Sequence, residues 1–392
     1  MAVVNNLASV IPTLYAQGLD ALRSTLIMPR LVLNDFGTEV KQRGEVIQIP
    51  LPSNMTTTTV VPAAYAPDPQ NIAPTTATIP LDNWEESAFT LSDKEYAQVV
   101  AGVVPIQLSA AVQALAAAVN QSIFNNYVYV GNSTGTAGTT PFQANVGIAP
   151  ATNAGVVLDN NLALQGERFL ALSPAAYGQA EQLPNFAYAM YAGDTQTVRA
   201  GVIRDKFGFD WHKDQQIPYQ TAGTLTGAVT ANGAQAEGVS AVSISTAAGA
   251  SFAPNVGDLI TFAGDAQTYT VLPGGVASTP LGASASGVVN ILPEKAVALK
   301  GGEAITITPS HVVNLAFQRQ AFGFASRPTS SGLDLARDGG GPVVAQMEVP
   351  DPVSGLTMQM QVRNEYHRTR VAYSMLWGTG VVRPQVACRI LG

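Results

Sequence analysis

The sequence predicts an α+β chain whose course is interrupted by an inserted all-β, barrel-like domain. Three observations carry this reading. Leu108, Val112, Leu115, Val119, Ile123 and Tyr127 form one apolar stripe at helical spacing, in a stretch with no charged residue between Glu95 and Asp159. Alternating or continuous apolar runs that suit strands lie before and after that helix. Between Lys213 and Lys295 there is no basic residue, and short alternating runs are separated by Gly, Pro and Asn turns, as in a small barrel or sandwich.

Taken in order, residues 5–28 place Leu7, Val10, Ile11, Leu14, Leu22 and Leu26 at mostly helical spacing, interrupted by Pro12 and Gly18, which predicts a broken amphipathic arm. Val46 to Ile49 alternate as a strand does, and strands resume near Thr76–Leu81 and Ser87–Leu91. The Thr- and Pro-rich stretch from Ser53 to Thr78 makes the tip of a long hairpin that has too little core to stand alone. Ser92-Asp93-Lys94-Glu95 is a capping box, so a helix is expected to start there, with Pro105 kinking or dividing it. A solvated helix would carry Lys and Glu on its outer face, and this one carries Ala, Gln and Asn, so it is expected to be packed on several sides.

Residues 131–155 read as a Gly/Thr-rich loop. Arg168–Leu172 reads as a buried strand, and Ser173-Pro174 as the cap and first turn of a helix. Gly201–Trp211 reads as a turn and strand. In the inserted segment, about 221–308, Val242 and Ile244 are expected inward with Ser243 and Ser245 outward, Tyr269 and Val271 inward with Thr268 and Thr270 outward, and Ile305 and Ile307 inward with Thr306 and Thr308 outward. Asn232-Gly233, Pro254-Asn255 and Gly274-Gly275 supply its turns. The segment is expected to fold by itself, with its two ends close together, and the host fold is expected not to need its core. The chain closes in strands over 343–349, 356–364 and 369–391.

Composition narrows the function. With 392 residues and 46% hydrophobic content the chain can bury a sizeable core, while only 12% is charged. Thin charge suits a subunit covered by copies of itself, because interface cores are depleted of charge. A net charge of −7 argues against a dedicated nucleic-acid binder. Only the C-terminal stretch is locally basic, and Arg363, Arg368, Arg370, Arg383 and Arg389 are expected at subunit contacts or in solvent. Cys388 is the sole cysteine, expected in a strand from Val381 to Leu391 with a packing role. No secretory signal or membrane-length apolar run is read, so the protein is expected to be made and kept in the cytoplasm.

No catalytic, cofactor-binding or metal residue is expected. His212, His311 and His367 lack metal-site spacing. Glu85 and Glu86, adjacent on a strand, point to opposite faces and cannot act as a carboxylate pair. Gly339-Gly340-Gly341-Pro342 lacks the lysine of a phosphate loop and reads as a flexible turn. Asn120-Gln121-Ser122 and Asn132-Ser133-Thr134 match the glycosylation acceptor by chance. The chain is therefore read as no enzyme.

The order of arm, hairpin, long helix and strand-turn-helix domain resembles the major capsid (coat) proteins of tailed bacteriophages. Leu158-Asp159-Asn160-Asn161-Leu162, followed by Gly166-Glu167-Arg168-Phe169-Leu170-Ala171-Leu172-Ser173-Pro174, is similar to that family's entry into its axial domain. Gly201-Val202-Ile203 with Gly208-Phe209-Asp210 looks like its next strand. Val256–Gly264, then Asn314–Phe322, is similar to the short-tailed Salmonella-phage type with an inserted β-domain.

The resemblance implies the tailed-phage major capsid fold. Its parts here are an N-terminal arm (1–37), an extended loop and peripheral-domain strand (38–91), a spine helix and peripheral domain (92–155), an axial domain (156–220 and 309–342), the inserted β-domain (221–308) and closing strands (343–392). It also implies homo-oligomerisation into pentamers and hexamers of an icosahedral shell around double-stranded DNA, touched only by weak non-specific contact. A separate scaffolding protein and a portal are expected partners, no membrane is, and assembly is expected in the host bacterial cytoplasm to give the virion. Residues 46–93 contain no lysine, so cross-linking through the loop, seen in some relatives, is not expected. The rival expectation is a β-rich phage decoration or receptor-binding protein, which the long helix opposes.

Overall fold

The structure is a computed structural model that describes residues 26–34, 46–51, 55, 57, 74–92, 103–188, 199–327, 343–350 and 356–392. Most of the predicted arm, the hairpin tip, the start of the capping-box helix and the Gly339–Pro342 turn lie outside these residues. The fold is mixed α/β and mostly β.

The hydrophobic stripe does form a helix, α1, over Val103–Phe124, continued by a 3-10 turn over Asn125–Tyr129. Val112, Leu115, Val119, Ile123 and Tyr127 are buried. Pro105 does not divide the helix among the described residues, which run unbroken from Val103 to Phe124. The opposite face is not packed as expected: Ala110, Gln113, Ala114 and Gln121 are exposed. Over residues 110–124 the helix is thus buried on one side, and its exposed side carries no charge.

Its buried side rests on a five-stranded antiparallel sheet. The strands are β3 (Asn83–Ser92), β17 (Phe322–Arg327), β18 (Val343–Pro350), β19 (Thr357–Glu365) and β20 (Arg368–Val381). Leu376 pairs with both Arg327 and Trp84, and Met375 with both Met358 and Glu85. So β17 and β19 share one edge of β20, and β3 takes the other. Met358, Met360, Tyr373, Met375 and Trp377 are buried in the same core as α1, and Trp377 Nε1 donates to Ser122 Oγ at 2.9 Å.

The hairpin base is β1 (Val46–Leu51) against β2 (Thr75–Pro80), paired from Val46↔Pro80 to Leu51↔Thr75. It sits on a notch of glycines. A Cβ on Gly378 would lie 2.0 Å from Pro80 O, and one on Gly323 would lie 2.5 Å from the Ile79 side chain, so only glycine admits the hairpin.

A second sheet orders β4-β21-β16-β5-β6, with β4 (Ser133–Gly135), β5 (Arg168–Leu172), β6 (Asp210–Lys213), β16 (His311–Gln318) and β21 (Ala387–Leu391). The predicted loop at 131–155 is wrong in part, because it contains β4 and most of a helix, α2, over Ala149–Asn160. The stripe of α2 is Ala151, Ala154 and Leu158, too small in side chain to stand out. Ser173 caps α3 (Pro174–Glu181) as predicted, its side chain accepting from Ala176 N. Val381–Leu391 is not one strand: Pro384 opens a 3-10 turn between β20 and β21.

Residues 224–307 build a barrel with its own hydrophobic cluster. Its sheet runs β15-β12-β13-β14-β10-β9, formed by β9 (Val229–Ala231), β10 (Ala241–Thr246), β12 (Leu259–Phe262), β13 (Tyr269–Val271), β14 (Ser286–Leu292) and β15 (Ile305–Ile307). Ala231 N donates to Glu303 O and Gly302 N to Ala231 O, both at 2.9 Å, joining β9 to β15 and closing the ring. Val242, Ile244 and Ile305 are buried as alternation predicts, and Ile307 is half-buried. Thr270 departs from the pattern: it is fully buried between Tyr269 and Val271. Within the barrel Lys295 and Asp265 pair with side-chain exposures of 1% and 6%. Burial alone would raise the Asp265 carboxyl, but Lys295, the Tyr269 hydroxyl and Gln267 N–H hold it below its usual range.

Candidate functional site at the barrel junction and the sheet edge

Two places in the fold combine chemistry with geometry that local folding does not require. The first is where the barrel joins the body. The chain leaves through β7 (Tyr219–Gln220) and returns through the first residues of β16, and these crossings pair as Tyr219↔Val312 and Gln220↔His311. The ends of the segment are therefore hydrogen-bonded to each other. Tyr127 OH donates to Gln220 Oε1 at 2.5 Å, and Gln220 Nε2 donates to Asp258 Oδ1 at 2.7 Å. Asp258 Oδ2 accepts from Gly223 N and Asn255 N, each at 2.8 Å.

Arg389 closes this network from β21. It is fully buried, which corrects the expectation that it meets a neighbour or solvent. Its Nη1 donates to Gly257 O at 2.6 Å and its Nη2 to Thr270 Oγ1 at 2.9 Å, while the guanidinium lies 5.1 Å from the Tyr127 ring centroid. Thr270 is buried for this reason, since its hydroxyl also donates to Val128 O at 2.7 Å. Burial pushes Arg389 down to about 9, and it stays charged at neutral pH. Both acceptors belong to the barrel, so in the full chain the insert supplies the hydrogen-bond partners of a buried cation of the body.

The second place is the edge of the sheet where β5 and β6 begin, side by side and parallel, Phe169 opposite Asp210. The loops entering them hold Leu162, Glu167 and Phe207 at φ of 55°, 55° and 54°, half of the non-glycine residues with positive φ among the described residues. Leu162 is 90% exposed, Leu164 60%, Val156 56% and Phe207 47%. The buried Arg168 fixes one loop, donating to Asp159 Oδ1 (2.6 Å), Ala163 O (2.8 Å) and Leu164 O (2.8 Å). A left-handed leucine facing water is doubly unfavourable, and Asn or Gly would be easier there.

The remaining sequence candidates are structural in their surroundings. His212 Nε2 is 3.1 Å from Asp210 Oδ2, and Glu86 pairs with Arg370 on the adjacent strand. His367 sits in an exposed turn at φ 53° beside Tyr366. Asn120 is buried, accepting from Met28 N at 3.0 Å and donating to Asp214 Oδ2 at 2.7 Å. Cys388 is buried and its thiol is pushed up to about 12 by burial. The described residues contain no group of three or more His, Cys, Asp or Glu placed to hold a metal ion, and no described helix is long and apolar enough to cross a membrane.

No family model matches the sequence, and no curated protein does. Solved structures do share the fold. A chain of Mycobacterium phage Che8 aligns with a TM-score of 0.51 at 13% identity, over 93% of this chain and 91% of that one. The capsid structure of the cyanophage P-SCSP1u aligns with a TM-score of 0.50 at 14% identity, over 94% of this chain and 88% of that one. The likeness runs through nearly the whole of each chain, so it concerns the entire architecture and not one common motif.

Proposed function

We propose that this chain is the major capsid protein of a tailed bacteriophage, a structural subunit that assembles with copies of itself into the icosahedral head enclosing double-stranded DNA. The observation that carries the proposal is a capsid fold shared end to end with the cyanophage shell. In this reading α1 is the spine helix, β1 and β2 are the base of the extended loop, the sheet under α1 is the peripheral domain, and the sheet containing β5 and β16 is the axial domain. The barrel is the inserted domain, bounded near 221 and 308, in the manner of the short-tailed Salmonella-phage type. The subunit acts without cofactor or catalysis, meets a separate scaffolding protein and a portal, and forms in the bacterial cytoplasm.

Two surfaces support this. The exposed, uncharged face of α1 and the apolar sheet edge both suit burial against a second copy, because interface cores exclude charge. No observation favours the rival decoration protein. Sedimentation of the purified chain with scaffold supplied, at near-physiological salt, is expected to give particles far larger than any single capsomer. Monomers or small closed rings under all such conditions would refute the assignment.

A further inference from the structure

We propose that the barrel junction is a pH-sensitive hinge, in which protonation of His311 loosens the barrel from the sheet that carries it. This inference does not depend on the capsid reading. His311 stands at the first position of β16, 1% exposed, paired with Gln220 at the two-residue strand β7. Its Nδ1 lies 2.8 Å from Pro309 O, a contact that requires the proton on Nδ1. Its Nε2 is then a bare lone pair, buried, with no hydrogen-bond partner among the described residues. The neutral ring is tolerated there. A proton taken from solvent onto Nε2 would create a buried cation with an unanswered N–H.

The charged and titratable groups facing the ring decide the sign. From β21 comes the Arg389 guanidinium, also buried and with its Nε unpartnered among the described residues, which repels a second cation. From the loop before β12 comes Asp258, which attracts one, but its two oxygens already accept from Gln220, Gly223 and Asn255. The Tyr127 phenol, on the turn after α1, donates instead to Gln220, the residue paired with His311. On the far side Val312 N donates to Gly392 O. Burial, then the Arg389 charge, outweigh Pro309 and Asp258 and hold the His311 imidazole below its ordinary value of 6.5.

A histidine whose closed-state pKa is depressed binds its proton more readily when the junction opens. The closed state is therefore fully favoured above pH 6.5 and loses ground as pH falls from there toward the closed-state pKa. The barrel's own buried pair answers to a different range, since Asp265 is held below 3.8 and loses its contribution only as pH falls beneath that value. Between the two ranges the hinge should yield while the barrel core stays closed.

The test is amide hydrogen exchange on the full chain between pH 7.5 and 5.0, corrected for intrinsic rates, in the wild type and in His311→Phe and His311→Gln. Protection at Val313, whose N–H donates to Pro218 O across the junction, is expected to fall by up to about tenfold per pH unit below 6.5, the limit for one proton, while Gly257, Ile244 and Ile260 stay protected. Both variants should remove that dependence. Equal pH dependence in wild type and variants overturns the proposal. Should neither variant fold, the wild type decides: loss of protection at Val313 below pH 6.5 with Ile244 and Ile260 still protected, beside an imidazole pKa below 6.5, supports the proposal, and an imidazole pKa at or above 6.5 or an equal loss at all three amides overturns it.

Discussion

A buried guanidinium is tolerated only where its N–H groups find acceptors, and Arg389 finds them across the junction, on Gly257 and Thr270. Arg389→Ala is expected to cost on the order of 1–3 kcal/mol, since Gly257 O and Thr270 Oγ1 lose a buried donor. Urea unfolding checks it, and a cost below about 1 kcal/mol would show the network to be incidental. Cys388, its strand neighbour, should matter little: Cys388→Ala leaves a small cavity and should cost about 1–2 kcal/mol without abolishing assembly. A thiol reagent should fail to label the native protein at pH 8, because the thiolate forms only near pH 12. The two residues were unequally legible. A lone cysteine among apolar strand residues announces burial. An arginine in the same strand announces solvent, and nothing local reveals that atoms more than a hundred residues upstream complete it.

At the scale of elements, the barrel has its own core, and residues 221–308 expressed alone should give β-type circular dichroism and a cooperative melt. Lys295→Met should weaken that melt by about 3–5 kcal/mol, because Asp265 is left buried and unpaired. A disordered fragment beside a folded full chain would place the boundary elsewhere. Gly378→Val should free the hairpin base, since any Cβ there meets Pro80 O; faster exchange at Ile47 and Ile79 checks this. Alternation exposed the barrel because Val242 and Ile244 face inward with serines between them. It failed at Thr270, where a hydrogen-bonded hydroxyl took an inward position, and α2 was read as part of a Gly/Thr-rich loop because its buried stripe is mostly alanine. The long helix was plain from its stripe, yet only the structure shows that its uncharged outer face is bare.

For the whole molecule, the uncharged exposed face of α1 over residues 110–124 and the apolar, strained loops before β5 and β6 belong to the proposed assembly, in which each would be covered by another copy of the chain. Leu162→Asn relieves a left-handed leucine and exposes less apolar surface, so it should raise subunit stability by about 1 kcal/mol while weakening assembly. The sequence pattern conveyed the architecture because its elements are local; the assembly surfaces were faint because an exposed leucine reads like any other until its backbone and neighbours are seen. Electron microscopy of the purified, assembled protein tests the central claim most directly. Closed shells with pentameric and hexameric capsomers, each subunit tracing this fold, are the predicted result. Isolated trimers or spikes, with the outer face of α1 open to solvent, would contradict it.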